Sequence, residues 1–192
     1  MNDNEVLLIK RSQKGDLAAF EELITDYKRI AYNIALKMLK NKEDAEDASQ
    51  EALIKVYRSI EQFNMDSTFK TWLYRIVVNT CLDLTRKNKE PVISIDQPIQ
   101  SGYDTFHMEL EDEGLKPDEI LDKKLTQEMV LEAIDQLEEG FKTIILLRDI
   151  EGLSYEEIAE VLSCNLGTVK SRISRGRQRL KEIMTSKMMQ YN

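Results

Sequence analysis

Residues 152–181 have the pattern of two short helices joined by a tight turn. Ser154 and Glu157 have capping-box spacing, in which each side chain accepts a hydrogen bond from the other residue's backbone N–H, so a helix should begin there. Polar residues 163–165 interrupt the pattern, and apolar residues recur at helical spacing from Leu166. Two helices around a turn of about three residues predict a helix-turn-helix.

The second helix of this motif is basic wherever it is not apolar. Residues 166–181 contain six Lys or Arg and no acid. At about 100° per residue, an inward stripe is formed by Leu166, Val169, Ile173 and Leu180. The side chains opposite it are Ser171, Ser174, Arg175 and Gln178, and those on its flanks are Lys170, Arg172, Arg177 and Arg179. Outward polar groups can contact base edges in the major groove while flanking cations bind phosphates. The alternative interpretation is an ordinary basic face exposed to solvent.

The net charge of −8 does not exclude nucleic-acid binding, because the acids are concentrated in one segment. Residues 90–128 contain eleven acids and three lysines, a balance of −8 that leaves the rest of the chain neutral. Salt screens charges over about 8–10 Å, so local patches decide what is bound.

The same segment is rich in Pro and Gly and has little periodicity, which indicates a flexible acidic linker at 89–127. It would join two small helical domains, 1–88 and 128–192, and no stretch alternates with the period of a strand. The fold class predicted is therefore all-α, with the helix-turn-helix in the C-terminal domain. The single histidine, His107, lies in the linker and is expected to be solvated.

Three longer segments of the N-terminal half should be helical. The first is capped by Asp16 and runs to about Lys40 with an apolar stripe. The second, from Glu43 to about Gln62, has an inward face of Ala45, Ala48, Ala52, Val56 and Ile60. Its outer face is formed by Glu43, Asp47, Gln50, Glu51 and Lys55, and spacing alone favours a solvated surface there.

A polar loop at 63–68 precedes the third helix, which should run from Phe69 to about Arg86. Aromatic residues Phe63, Phe69, Trp72 and Tyr74 alternate with cations, a pattern that can stack on unpaired bases or form a core. Spacing favours a core position for Trp72 and does not decide between the two roles for the loop. In the C-terminal half, helical periodicity begins at Glu128, should break at Gly140, and should end at Gly152.

Enzymatic sites are not indicated by the residues. The chain has one histidine, no Gly-rich phosphate loop, no metal-ligand spacing and no nucleophile motif, so neither a cofactor nor a metal is expected. Cys81 and Cys164 lie far apart in helical patterns, which favours buried thiols over a disulfide. The N-terminus lacks an apolar signal region, so the location expected is the cytoplasm.

Three motifs together resemble one family, the extracytoplasmic-function sigma factors, small two-domain promoter-specificity subunits of bacterial RNA polymerase. They are residues 44–51 (DAEDASQE), residues 69–76 (FKTWLYRI) with Asn79 and Asp83, and residues 146–159 (LLRDIEGLSYEEIA) continuing into 167–172. Their order along the chain makes the resemblance specific, and it covers nearly the whole length.

The resemblance implies a role for each surface. Core RNA polymerase would be bound by Asp44, Asp47, Gln50 and Glu51. The minus-10 element would be opened, and a flipped base captured, by Phe63, Asn64, Met65, Asp66, Ser67, Lys70, Arg75 and Asn79. The upstream minus-35 element would be bound by Thr168, Lys170, Ser171, Arg172, Ser174, Arg175, Arg177, Gln178 and Arg179. Many relatives have a glycine and a basic residue in the loop where this chain has residues 64–66, so the preferred flipped base can differ.

The partners implied are core RNA polymerase, promoter DNA and a membrane-anchored anti-sigma factor, without a small-molecule substrate. The genes controlled would belong to a stress or cell-envelope response. The alternative is a helix-turn-helix regulator that binds DNA without joining polymerase. An all-helical N-terminal half argues against it, because a phospho-receiver domain would need alternating strands.

Overall fold

The computed structural model describes residues 2–89 and 129–190, and these residues are helical with short connections. The predicted linker, with His107, lies outside the described residues except for Lys89, which ends the fourth helix. The helices are α1 (Asp3–Ser12), α2 (Leu17–Leu39), α3 (Lys42–Ser59), α4 (Phe69–Lys89), α5 (129–135), α6 (Glu139–Ile145), α7 (Tyr155–Val161) and α8 (Leu166–Gln190). No strand occurs in these two ranges, which confirms the all-α prediction.

The described helices pack as two units. The first contains residues 2–89 together with 152–169, and the second contains 129–151 and 170–190. The prediction of separate domains at 1–88 and 128–192 is a different division and stays a prediction.

The core of the first unit is built on the small side chains of α3. Ala45, Ala48, Ala52 and Val56 are fully buried, as the inward stripe predicted, and the 3₁₀ turn Ile60–Gln62 extends α3. Alanines on one face let neighbouring helices approach closely, and both α2 and α4 pack against α3.

Aromatic rings close this core beside the 63–68 loop. Phe69 is completely buried, and its ring centroid lies 5.0 Å from Tyr27, 5.7 Å from Phe63 and 5.8 Å from Trp72. Edge-to-face and tilted pairs at these separations stabilise beyond simple burial. Trp72 is a core residue, as its spacing predicted.

The C-terminal helices differ from the prediction at one glycine. Gly140 does not break the helical pattern but lies in the first turn of α6, and the break falls at residues 136–138. The first turn tolerates glycine because its N–H groups lack intrahelical partners in any case. Gly152 ends the following π turn, Leu146–Ile150, with a φ of 72°, which confirms its predicted role.

Ion pairs connect the helices of the second unit. Lys187 Nζ of α8 lies 2.8 Å from Glu132 Oε2 of α5, and Lys142 Nζ of α6 lies 3.3 Å from Asp135 Oδ1. The second pair is largely shielded from solvent, so salt screens it less than it screens an exposed pair.

The two cysteines are free thiols, as predicted, but only Cys81 is fully buried, because Cys164 lies in the turn before α8. Burial raises the pKa of the Cys81 thiol to about 12, so the thiol stays protonated and unreactive. Across residues 2–89 and 129–190, no helix has the length and apolar character that a bilayer span requires.

Candidate nucleic-acid interfaces

The first helix of the helix-turn-helix begins with the predicted capping box. Ser154 N donates to Glu157 Oε2 at 2.8 Å, and Glu157 N donates to Ser154 Oγ at 3.1 Å. The hydrogen bond from the Ser154 backbone N–H, helped by the hydroxyls of Ser154 and Thr71, holds the pKa of the Glu157 carboxyl below its usual range. The carboxylate therefore stays ionised and the cap stays closed at neutral pH.

The second helix has a cap that the periodicity argument missed. Asn165 Oδ1 accepts from Thr168 N at 2.7 Å and from Thr168 Oγ1 at 2.9 Å. Asparagine immediately before an apolar helical run is a capping signal, and it could have been recognised at this position. The turn between α7 and α8 covers residues 162–165, one residue more than predicted.

The predicted faces of α8 agree with its exposure. Val169 and Ile173 are buried, whereas Leu166 and Leu180 are only partly so. The side chains open to solvent are Lys170, Ser171, Arg172, Ser174, Arg175, Arg177, Gln178 and Arg179, and Thr168 is half-exposed. An exposed, basic, hydroxyl-bearing helix face has the chemistry needed to contact phosphates and base edges.

Arg177, Gln178 and Arg179 bond to acidic side chains of the chain. Arg177 donates through Nε to Asp149 Oδ2 at 3.2 Å and makes a second bond to the same carboxylate. Glu182 accepts from Gln178 Nε2 at 3.1 Å and from Arg179 at 3.0 Å. Exposed pairs of this kind contribute about 0–1 kcal/mol, so exchange for a phosphate partner has a small cost.

Gly176 is a residue of this helix that sequence reasoning did not select. A Cβ at this position would lie 3.0 Å from Ile145 Cγ1 and 3.2 Å from Ile145 Cδ1, so only glycine lets α8 approach α6 this closely. Because Gly176 lies between Arg175 and Arg177, that approach determines how the basic face is held. A glycine inside a helical pattern was the available signal.

Gly176→Ala should lower the free energy of unfolding by about 1 kcal/mol. Overpacking costs roughly 1–3 kcal/mol and is offset in part by the helix preference of alanine over glycine. Thermal unfolding checks this, with Gly140→Ala as the matched control, since a Cβ there meets nothing within 4 Å and should stabilise slightly. Equal changes in the two variants would contradict the close approach.

The 63–68 loop is fixed at both ends and polar between them. Phe63 is only 3% exposed, with its ring 5.0 Å from that of Trp72, so it forms the base of the loop rather than its contact surface. Thr68 begins α4 by accepting from Thr71 N at 3.0 Å. Between these ends lie exposed Asn64 and Asp66, joined by a side-chain hydrogen bond, and half-exposed Met65 and Ser67.

Met65 has a φ of 62°, in the left-handed region that favours glycine. A side chain there costs roughly 1–2 kcal/mol, so the loop carries local backbone strain. This is the segment where many relatives were expected to have a glycine.

After the loop, α4 presents the remaining candidate contacts for an opened strand. Lys70 and Asn79 are exposed and Arg75 is half-exposed, with Arg75 and Asn79 one turn apart on the same face. Lys70 Nζ lies 5.6 Å from the centroid of the Tyr74 ring, which itself is buried. The loop and α4 therefore offer donors and cations, with Arg75 and Asn79 on one face of the helix and Lys70 in its first turn.

The outer face of α3 is acidic, as predicted. Asp47, Gln50 and Glu51 are exposed and Asp44 is half-exposed. Lys55 Nζ lies 2.8 Å from Glu51 Oε1 and holds the pKa of that carboxyl below its usual range. Ile54, which is 50% exposed, follows one turn later and was not selected from the sequence.

Two family models match the chain with these surfaces inside them. The Sigma-70 region 2 model covers residues 23–90, which include the α3 face and the 63–68 loop. The Sigma-70 region 4 model covers residues 127–180, which include the helix-turn-helix. The fold and its surfaces thus define a sigma-70 type transcription initiation factor.

Similar proteins specify the subfamily. The ECF RNA polymerase sigma factor SigW of Bacillus subtilis is 35% identical over 175 residues, 91% of this chain and 93% of that protein. The ECF RNA polymerase sigma-E factor of Haemophilus influenzae is 40% identical over 176 residues, 89% and 90% of the two chains. The chain belongs to the extracytoplasmic-function RNA polymerase sigma factors.

Two solved structures share the fold. CnrH in complex with the cytosolic domain of CnrY is 22% identical, with a TM-score of 0.67 over 96% of this chain and 99% of that one. The sigma factor RpoE of Bartonella quintana, in complex with the anti-sigma factor NepR, is 24% identical, with a TM-score of 0.61 over 86% and 96%.

Membership of this family establishes the general function. The protein is a sigma factor that directs transcription initiation by RNA polymerase at promoter DNA, and sigma factors are non-enzymatic initiation factors. The alternative of a DNA-binding regulator that does not join polymerase is not favoured.

Proposed function

We propose a division of labour among the three exposed surfaces. The acidic face of α3, with Asp44, Asp47, Gln50 and Glu51, docks on core polymerase. The loop and α4 capture and hold the opened minus-10 strand, and the basic face of α8 binds the upstream element. The observation that carries this proposal is the one-sided exposure of α8, whose basic outward face contrasts with the buried Val169 and Ile173.

The minus-10 role follows from how the loop is built. A captured base must leave its stack at a cost of a few kcal/mol, which a rigid polar pocket offsets best. Buried Phe63 and the Thr68 cap fix the two ends, so Asn64, Met65, Asp66 and Ser67 are the side chains that meet the base. Lys70, Arg75 and Asn79 then follow the strand along α4.

An anti-sigma partner is part of the proposal. In its solved complex, RpoE of Bartonella quintana is bound by the anti-sigma factor NepR. We infer an anti-sigma factor for this chain too, membrane-anchored as the family resemblance suggests, and a stress or cell-envelope regulon. The protein would act in the cytoplasm with polymerase and DNA, and polymerase would supply the catalysis.

Run-off transcription tests the proposal as a whole. The protein is added to sigma-free core polymerase on fragmented genomic DNA from its own source, and the transcription starts are mapped. Starts that share an upstream and a minus-10 element are expected, and they would also define the regulon. DNA binding without any specific start would contradict the proposal.

Arg175→Ala should relax discrimination within the upstream element. Loss of a base contact in the major groove costs roughly 1–3 kcal/mol on the preferred base pair and little on others. The measurement is holoenzyme affinity for a mapped promoter and for single-base variants of its upstream element.

Arg179→Ala is the matched control on the same helix. Its side chain is on the flank of the apolar stripe, so its loss should weaken all sequences about equally and reduce the salt dependence by about one unit. If Arg179→Ala changed base preference and Arg175→Ala did not, the assignment of the two faces would be reversed.

A further inference from the structure

Gln13 occupies a rigid corner between α1 and α2. Its backbone N–H donates to Ile9 O at 2.9 Å and so closes α1. Gly15 follows with a φ of 84°, and Asp16 then caps α2. Arg11 Nε donates to Asp16 Oδ2 at 2.9 Å across the corner, so the Gln13 backbone is held from both sides.

The side chain of Gln13 reaches a distant part of the chain. Its Nε2 donates to Phe63 O at 2.7 Å and to Ile60 O at 3.2 Å, across 50 and 47 residues of sequence. Ile60 begins the 3₁₀ turn and its carbonyl also accepts from Phe63 N at 3.1 Å, whereas Phe63 directly follows the turn. The Gln13 amide therefore joins the two ends of this turn. The amide NH₂ group can donate twice, and no acceptor-only side chain could replace it.

The shorter of these two bonds ends at Phe63, the first residue of the 63–68 loop. The Phe63 ring packs against Phe69 and Trp72, and the Phe63 carbonyl accepts from Gln13. With its side chain and its carbonyl both held, Phe63 fixes the direction in which the chain enters residue 64. At the other end, Thr68 is tied to α4 through Thr71. Residues 64–67 therefore follow a residue, Phe63, whose position is fixed by Gln13 in the corner after α1.

We propose that Gln13 is a positioning residue for base capture at the minus-10 element. The proposal rests on the function proposed for the 63–68 loop, and it extends that site to the corner after α1, outside the region 2 match at 23–90. Gln13 acts by limiting the positions that Asn64 and Asp66 occupy before DNA arrives. Preorganisation of this kind contributes to binding because less motion is lost when the base enters.

The test compares Gln13→Glu and Gln13→Met with Lys14→Gln. Gln13→Glu keeps the size of the side chain but removes both donors, and Gln13→Met keeps its length but removes all hydrogen bonding. Lys14→Gln alters the exposed neighbouring residue and leaves the two bonds intact. Each variant is assembled into holoenzyme on a promoter mapped by run-off transcription, with the minus-10 non-template strand unpaired.

The expected result is about a tenfold loss of affinity for this probe in both Gln13 variants, because a loop that is no longer anchored must be ordered when the base enters. Discrimination between bases at the captured position should fall with it, while core polymerase affinity and binding to upstream duplex stay within about twofold of wild type. A purely structural role would lower the thermal midpoint without changing base discrimination. That outcome, measured where all variants are folded, would overturn the proposal.

Loop variants separate this inference from the function on which it depends. Asn64→Ala and Asp66→Ala should change base discrimination directly. If they do and the Gln13 variants do not, the positioning role is wrong and the loop's function stands. If the loop variants also leave discrimination unchanged, the proposed minus-10 role of the loop fails, and the role of Gln13 fails with it.

Discussion

Phe69→Ala should lower the free energy of unfolding of the N-terminal helices by about 3–5 kcal/mol, the cost of removing a buried aromatic side chain. Phe69 is fully buried and its ring meets those of Tyr27, Phe63 and Trp72, so alanine would leave a cavity that rigid rings fill poorly. Domains of this size are stable by only about 5–15 kcal/mol, so the loss is a large fraction of the total.

Denaturant unfolding measures this loss, and Leu7→Ala is the control. Leu7 is also apolar and N-terminal but is 54% exposed, so its truncation should change stability by less than about 0.5 kcal/mol. Because Phe69 supports Phe63, minus-10 binding should weaken even below the unfolding temperature. A loss under 1 kcal/mol would show that the aromatic cluster does not hold the loop.

The helices could be predicted from the sequence because their stripes are regular and their caps are local. The stripe of Ala45, Ala48, Ala52 and Val56 is buried as predicted, and the capping box at Ser154 is formed. Both follow from residues within one or two turns of each other. Gly140 was misjudged because a glycine breaks a helix interior but is tolerated in a first turn.

The features that position the candidate sites were not predictable, because they join residues distant in sequence. The bond from Gln13 to Phe63 spans 50 residues, and the approach of Gly176 to Ile145 depends on the packing of two helices. The π turn before Gly152 was also not predictable, because its hydrogen bonds span five residues and do not follow the 3.6-residue period of an α-helix. Ile54 was overlooked because an apolar residue in an α-helix is expected to face the core.

Charge reversal on the outer face of α3, Asp47→Lys with Glu51→Lys, should weaken binding to core polymerase by roughly 2–4 kcal/mol, or about 30-fold to 1,000-fold. Both side chains are exposed on the face opposite the buried alanines, so folding does not need them. Glu51 is paired with Lys55, and that exposed pair contributes little to stability.

The measurement is competition between the variant and the wild-type protein for sigma-free core polymerase, with thermal unfolding run in parallel. Glu22→Lys with Asp26→Lys is the control, because both side chains are exposed on α2 away from its packed face, have the same spacing and undergo the same total change of charge. The salt dependence of core binding should fall in the α3 variant but not in the α2 control. Equal losses in both variants would mean that net charge, rather than this face of α3, governs docking. In that case Ile54→Ala, which alters the same face without changing its charge, would leave core affinity unchanged.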